Sequence, residues 1–327
     1  MPISIQNKSV DISVIVPTYN RAELLRETIE SFLQMEWSPE TSYELLIVDN
    51  NSNDITKDVV AAYMNKNPFI KYVFEEKTGV SQARNKGIKE AKGKIIAFTD
   101  DDVELDKNWG MEIVKAFRNN PDVCSIGGKN IPVFPEGKPR WINNDFLPIY
   151  GDVKMGEEER YFEFPSYPYG LNMSFRREVF GKIGMFNAEL GRRKNILLSN
   201  EETGIYYNIL RHNLKVLYSP FVIVKHKVPA YRTQKKWILK RHYWQGISDV
   251  VFEQITSKKS GKILLREAYR DFVSVKRGIT GNSGISIKKL YWHVRKIKFE
   301  TWVECCWKLG EIRQKIVEVL KTFNEFP

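Results

Sequence analysis

Three carboxylates stand in a row in Phe98-Thr99-Asp100-Asp101-Asp102-Val103, directly after the apolar run 94–98. Adjacent like charges repel, and acids that leave an apolar strand together cost stability unless a cation meets them. A divalent metal carrying a phosphate ligand is the natural occupant. The plainer alternative is a solvated turn that caps a helix near 106–118.

An acid cluster does chemistry only where a scaffold brings other groups to it. The first hundred residues alternate apolar runs, at 12–16, 44–48, 70–74 and 94–98, with amphipathic stretches at 22–34, 55–65 and 81–91. That alternation predicts a parallel sheet with helices on both faces, because right-handed crossovers need a connection of helix length. The runs lead into Pro17-Thr18-Tyr19-Asn20-Arg21, Asp49-Asn50-Asn51-Ser52-Asn53, Glu75-Glu76-Lys77 and Thr99-Asp100-Asp101-Asp102. In a parallel sheet these ends share one edge, where open α/β folds bind ligands. Four polar, mostly acidic ends predict a nucleotide-type site there, while Asn50 to Asp54 also suit the N-cap of the next helix.

Beyond Asp102 the pattern predicts a helix over 106–118, a strand over 123–129 and an aromatic, proline-rich wrap over 131–169. A strand at 171–175, a helix from Arg177, an acidic segment at 199–211 and apolar runs at 215–218 and 221–224 follow. From 231 onward the chain reads as basic amphipathic helices, at 235–256, 262–275 and 287–323.

Composition sets the bounds. The chain has 327 residues, 42% hydrophobic and 28% charged, as in an ordinary folded protein. No uncharged apolar run approaches the ~18–20 residues of a membrane span, and the N-terminal sequence lacks the pattern of a signal peptide. Cys124, Cys305 and Cys306 make neither a disulfide framework nor a metal-ligand spacing, so a reducing, cytoplasmic location is expected. Charge is uneven. Residues 225–327 hold 23 Lys and Arg against 9 Asp and Glu, a net of +14, and residues 1–224 hold 28 against 31, a net of −3.

The succession VIVPTYNR (14–21), LLIVDNNSND (45–54), GVSQARNKGIKEAKGKIIAFTDDDVE (79–104), YGLNMSFRREVFGKIGMF (169–186) and LLSNEETGIYYNILRHNLKVLYSPFVIVKHKV (197–228) resembles the family 2 glycosyltransferases across 11–250. The resemblance implies an α/β, Rossmann-like, mostly parallel sheet of the glycosyltransferase-A type, here with a basic helical extension. The implied plan is a tail over 1–10, a catalytic domain over 11–230 and a helical region over 231–327. The implied activity is inverting transfer of a sugar from a nucleoside-diphosphate donor, a UDP-sugar being favoured, to a saccharide or lipid-linked acceptor. The implied cofactor is a divalent metal, Mn2+ or Mg2+, and the implied setting is cell-surface polysaccharide or glycan synthesis.

Roles follow at the matching positions. Pro17, Thr18, Tyr19, Asp49, Arg84, Asp100 and Asp101 would hold the nucleotide, Asp102 the metal, and His226 would complete the metal shell. An alcohol is a weak nucleophile at neutral pH, so the acceptor needs a base. The family's acidic pair corresponds to Glu201-Glu202, with Glu202 as base. Two departures stand out: Asn200 replaces a glycine, and Glu202 replaces an aspartate. Without the resemblance both acids simply suit the positive end of a helix. Asn172 would shape the donor-sugar and acceptor side, or serve as a strand-edge turn. Segment 240–249 matches a motif of some relatives and reads equally as an anchor for its helix.

Cations and tryptophans interleave over 287–323, which suits a helix on an anionic membrane surface, peripheral on its inner face, as well as an aromatic face packed on protein. No nucleic-acid motif is evident. Two other classes fit less of the pattern. A nucleotidyltransferase needs a Gly-rich, cationic loop after the first strand, which PTYNRAELL is not. A non-catalytic sugar- or membrane-binding module would retain the scaffold with a drifted site.

Overall fold

The strands predicted by the alternation form the first half of one sheet. In the computed structural model, β1 (Ile12–Thr18), β2 (Tyr43–Asp49), β3 (Ile70–Phe74) and β4 (Ile95–Phe98) run parallel in the order β3-β2-β1-β4. The crossovers carry α1 (Ala22–Leu33), α2 (Thr56–Met64) and α3 (Val80–Glu90). Strand side chains alternate between faces, so a fully covered sheet needs two cores. Val14, Val16, Leu45, Ile47 and Ala97 join one, with Leu25 and Ile29 of α1. Ile15, Leu46, Val48, Ile96 and Phe98 join the other, with Ala83 and Ile88 of α3. The structure describes residues 10–153, 155–280 and 298–324. Most of the N-terminal tail, and the part of the 287–323 stretch before residue 298, lie outside the described residues.

The second half of the sheet is mixed. It contains β5 (Val103–Leu105), β6 (Val123–Val133), β7 (Arg160–Tyr161), β8 (Met173–Arg176) and β9 (Lys215–Lys227), in the order β4-β8-β6-β9-β5 with β7 on β9. β8 runs antiparallel to β4 and β6, β6 and β9 pair parallel, and β5 and β7 run antiparallel to β9. α4 (Trp109–Asn119), α5 (Phe180–Ile183) and α6 (Glu201–Arg211) pack against it. Two sequence expectations change here. The runs at 215–218 and 221–224 are one strand, because a register shift on β6 between Gly128 and Lys129 lets β9 pass through Pro220 unpaired. β5 is three residues long and exists only as the antiparallel partner of β9, so no local pattern announces it.

Asn172 is placed by this sheet. It is buried, accepts from Trp109 Nε1 at 2.9 Å, and donates to the carbonyls of Val222 at 2.9 Å and Lys129 at 3.3 Å. Its amide holds α4, β6 and β9 together. Asn172→Ala would leave the indole N–H and two carbonyls without a partner. An expected loss of about 2–4 kcal/mol of stability follows, measurable by denaturant unfolding.

The described chain divides into two compact units, Met1–Glu189 with Glu201–Ala230 and Leu190–Asn200 with Tyr231–Pro327. The second contains α7 (Lys235–Ser257), α8 (Gly261–Thr280) and α9 (Phe299–Asn324). α7 and α9 approach to backbone contact through paired glycines. A Cβ on Gly246 would lie 2.0 Å from the Trp307 carbonyl oxygen, and one on Gly310 would lie 2.0 Å from that of Tyr243. α8 and α9 are joined by Lys315–Asp271 at 2.6 Å and Lys308–Asp271 at 3.7 Å. Among the described residues no helix is long and apolar enough to cross a membrane.

Candidate active site

Parallel pairing delivers the strand ends to one edge. Thr18 ends β1 opposite Asp49, the last residue of β2, and β4 ends just before Thr99 and the acidic triplet. The three carboxylates then diverge. Asp100 faces Arg84 of α3, with Nη2 3.7 Å from Oδ1. Asp101 accepts from the Thr18 hydroxyl at 2.8 Å and from Arg21 Nη1 at 2.8 Å. Asp102 accepts from the same Arg21 nitrogen at 2.9 Å. Desolvation raises the proton affinity of both Asp100 and Asp101 above the ordinary carboxylate range. The arginines pull it down, Arg84 at Asp100 and Arg21 at Asp101, and the Asp102 charge pushes it up again.

Arg21 is a site residue that the sequence reading overlooked. It lies in the strand-end segment already singled out, and a cation placed there on the edge of an acid triplet is the available signal. It heads α1 without a side-chain cap, which leaves its guanidinium to bridge Asp101 and Asp102.

His226 reaches Asp102 through strand pairing. β9 runs antiparallel to β5 with His226 opposite Val103, and the Lys227 amide donates to the Asp102 carbonyl at 2.9 Å. The imidazole Nδ1 lies 2.6 Å from the Tyr150 carbonyl oxygen, so that nitrogen carries a proton. Nε2 then faces Asp102 Oδ1 at 3.6 Å. In the neutral ring two lone pairs oppose one another across that gap, an arrangement suited to a cation between them or to a second proton on the ring. Carboxylate oxygen and imidazole nitrogen form a donor set that fits a divalent ion. Among the described residues no three His, Cys, Asp or Glu gather to hold a metal.

The acidic pair opens α6, where both carboxylates favour the positive helix terminus. Arg84 Nη1 lies 3.3 Å from Glu201 Oε1 and 3.3 Å from Glu202 Oε1. Burial opposes the charge of Arg84, but Glu202, Glu201 and Asp100 more than offset it and hold its proton affinity above the usual value. The guanidinium thus spans the gap between the acid triplet and the acidic pair. Gly170 seals this contact. A Cβ there would lie 2.0 Å from Arg84 Nη2 and 2.4 Å from Glu202 Oε1, so only glycine permits the approach. Of the two glutamates, the Glu202 side chain is 17% exposed and that of Glu201 is 7% exposed.

Asn200 accounts for its own departure from glycine. Its φ is +71°, in the left-handed region that asparagine tolerates better than other side chains. Its amide donates to Asp249 Oδ1 at 2.8 Å and its carbonyl accepts from Gln245 Nε2 at 2.9 Å, while the Ser199 amide donates to Ser248 Oγ at 3.0 Å. The 240–249 motif therefore anchors the strap that precedes the acidic pair.

The remaining predicted residues are more enclosed. Asp49 is buried and accepts from the Ser52 amide at 2.9 Å and the Tyr72 hydroxyl at 2.7 Å. Burial, followed by the Asp49 hydrogen bond, raises the Tyr72 phenol well above its ordinary value. Pro17 is buried within β1 opposite Val48, and Tyr19 is half-buried just beyond the strand.

A mixed, mostly parallel α/β sheet flanked by helices, with its polar strand ends on one edge, is the glycosyltransferase-A type of fold. Residues 13–184 match the family described as Glycosyl transferase family 2. The chain belongs to that family and is a glycosyltransferase. It is 29% identical to a glucosyl-dolichyl phosphate glucuronosyltransferase of Haloferax volcanii, over 76% of this chain and 80% of the relative. It is 25% identical to the succinoglycan biosynthesis protein ExoM of Rhizobium meliloti, over 73% and 74%. The fold is shared with a solved mannosyltransferase, PcManGT of Pyrobaculum calidifontis, in complex with GDP-Man and Mn2+. The TM-score is 0.61 at 19% identity, covering 94% of this chain and 86% of that one.

Proposed function

We propose that the protein transfers a sugar, with inversion at the anomeric carbon, from a nucleoside-diphosphate donor to a saccharide or lipid-linked saccharide during glycan assembly. The observation that carries this reading is the Arg84 bridge, which sets Glu202 one guanidinium away from the acid triplet. A base for an acceptor hydroxyl and a cluster suited to a diphosphate thereby occupy one edge.

Thr18, Asp49 and Tyr19 would receive the nucleoside at the β1 and β2 ends, with Pro17 fixing the backbone beneath it. Asp100, braced by Arg84, would contact the nucleoside, and Asp101, braced by Arg21, would line the nucleotide site. Asp102 and His226 would hold a divalent ion, Mn2+ or Mg2+, whose charge offsets the negative charge that grows on the departing diphosphate. Glu202 would accept the proton of the attacking hydroxyl while Arg84 fixes its carboxylate. The names of the haloarchaeal relative and of ExoM support a lipid-linked or polysaccharide acceptor.

The test is thermal unfolding with UDP or GDP, each with and without Mn2+. A ligand at ~100 times its Kd adds about 2.7 kcal/mol, a shift of several degrees. One diphosphate, UDP in our reading, should stabilise only when metal is present. Equal shifts from nucleotide with and without Mn2+ would discard the metal role.

A further inference from the structure

Helix α8 divides its charges by side. Its acids, Glu267 and Asp271, are turned inward, where Glu267 receives Lys259 at 2.6 Å and Asp271 receives Lys315 at 2.6 Å. Its cations point outward. Lys262, Arg266 and Arg277 are exposed and make no ion pair among the described residues, and Arg270 makes only a 3.9 Å contact with Glu267.

The same helix has two apolar sides. Leu264, Ala268 and Val275 form the buried one. Leu265, Tyr269 and Phe272, at i, i+4 and i+7, form a second stripe that is 50%, 69% and 55% exposed. A helix on the surface of a folded protein needs one apolar stripe, toward the core. At 3.6 residues per turn, Lys262, Arg266 and Arg277 fall in the sector adjoining the exposed stripe.

We propose that α8 docks the protein on an anionic membrane surface. Leu265, Tyr269 and Phe272 enter the boundary between headgroups and acyl chains, and Lys262, Arg266 and Arg277 meet lipid phosphates. Charge decides between this partner and a second copy of the chain. A two-fold interface would set this cationic sector beside its own copy, with the neutralising acids already turned inward. Anionic lipid is the complement the face lacks. The proposal does not depend on the transferase chemistry.

Vesicle co-sedimentation of the full chain tests it, with phosphatidylcholine alone and with phosphatidylglycerol added. The protein should bind only the anionic vesicles, and added salt should weaken binding. Each juxtamembrane cation contributes a factor of about five, so Lys262→Ala/Arg266→Ala/Arg277→Ala should lower partitioning roughly a hundredfold. Tyr269→Ser/Phe272→Ser should lower it at least tenfold. Both sets lie at exposed positions and should leave the melting temperature unchanged. Lys57→Ala/Lys89→Ala/Lys138→Ala removes the same charge from exposed sites of the other unit and should change partitioning by less than about threefold. Equal losses in the two triple variants, or no binding to anionic vesicles, would overturn the proposal. So would a dimer in vesicle-free solution that Tyr269→Ser/Phe272→Ser converts to monomer, since the face would then belong to a second copy.

Discussion

Asp102→Asn is expected to abolish the metal-dependent response to nucleoside diphosphate and to lower turnover roughly 10²–10⁴-fold. The substitution keeps the shape of a buried side chain and an oxygen that accepts from Arg21, now at 2.9 Å. What it removes is charge, on the one carboxylate that faces an imidazole nitrogen across 3.6 Å. The protein without ligand should respond in the opposite direction. Asp100 and Asp101 both hold protons more tightly in the folded state than their ordinary value of 3.8, chiefly through desolvation, with Asp102 adding repulsion. A carboxyl whose folded proton affinity is raised favours folding fully below its unfolded pKa and loses that contribution as pH rises through the folded value. Ionising Asp100 and Asp101 as pH rises therefore opposes folding, and removing the Asp102 charge relieves part of that opposition. The ligand-free variant should melt at or above the parent temperature at pH 7, with the difference vanishing below about pH 4. A variant that unfolds early would instead assign Asp102 to structure. One that keeps its Mn2+-dependent shift would remove it from the metal site.

β1 to β4 and α1 to α3 are coded locally, in alternating apolar positions and strand ends, and the acid triplet stands out because repulsion between neighbours is itself a local property. Arg21 and the His226–Asp102 approach are not local. His226 reaches the triplet because a three-residue strand pairs with the end of a thirteen-residue one, and β9 reads as two runs because Pro220 ordinarily ends a strand. The hydrogen bonds of Asn172 are likewise not local. Its position within the motif is visible in sequence, whereas the three partners that consume its amide come from α4, β6 and β9. The grouping of Leu190–Asn200 with the helices was equally hidden, since it depends on Gln245, Ser248 and Asp249 some 45 to 49 residues away. Asn200 itself is the instructive case. A departure from glycine that looks like drift becomes, at φ +71°, the substitution that preserves the backbone and adds two hydrogen bonds.

Glu202→Gln should lower kcat by about 10²–10⁴-fold while leaving the Mn2+-dependent nucleotide shift intact. The amide fills the same volume and still accepts from Arg84, but it cannot take a proton. The loss therefore falls on turnover and spares donor binding, a division that a merely structural role would not produce. Glu201→Gln provides the contrast. Glu201 is the more deeply buried of the pair and shares Arg84 Nη1 at the same 3.3 Å distance, so neutralising it strips a buried cation of a counter-charge. Its expected cost lies in stability, with a smaller effect on kcat. Glu202→Asp is the finer probe. Withdrawing the carboxylate by one methylene displaces it by about 1 Å or more from the position that Arg84 and Gly170 define, enough for a loss of roughly 10–100-fold. If aspartate restores or improves turnover, the longer side chain is not matched to the acceptor. If Glu201→Gln rather than Glu202→Gln removes turnover with binding retained, the base is Glu201, and the exposure difference between the two carboxylates misidentifies it.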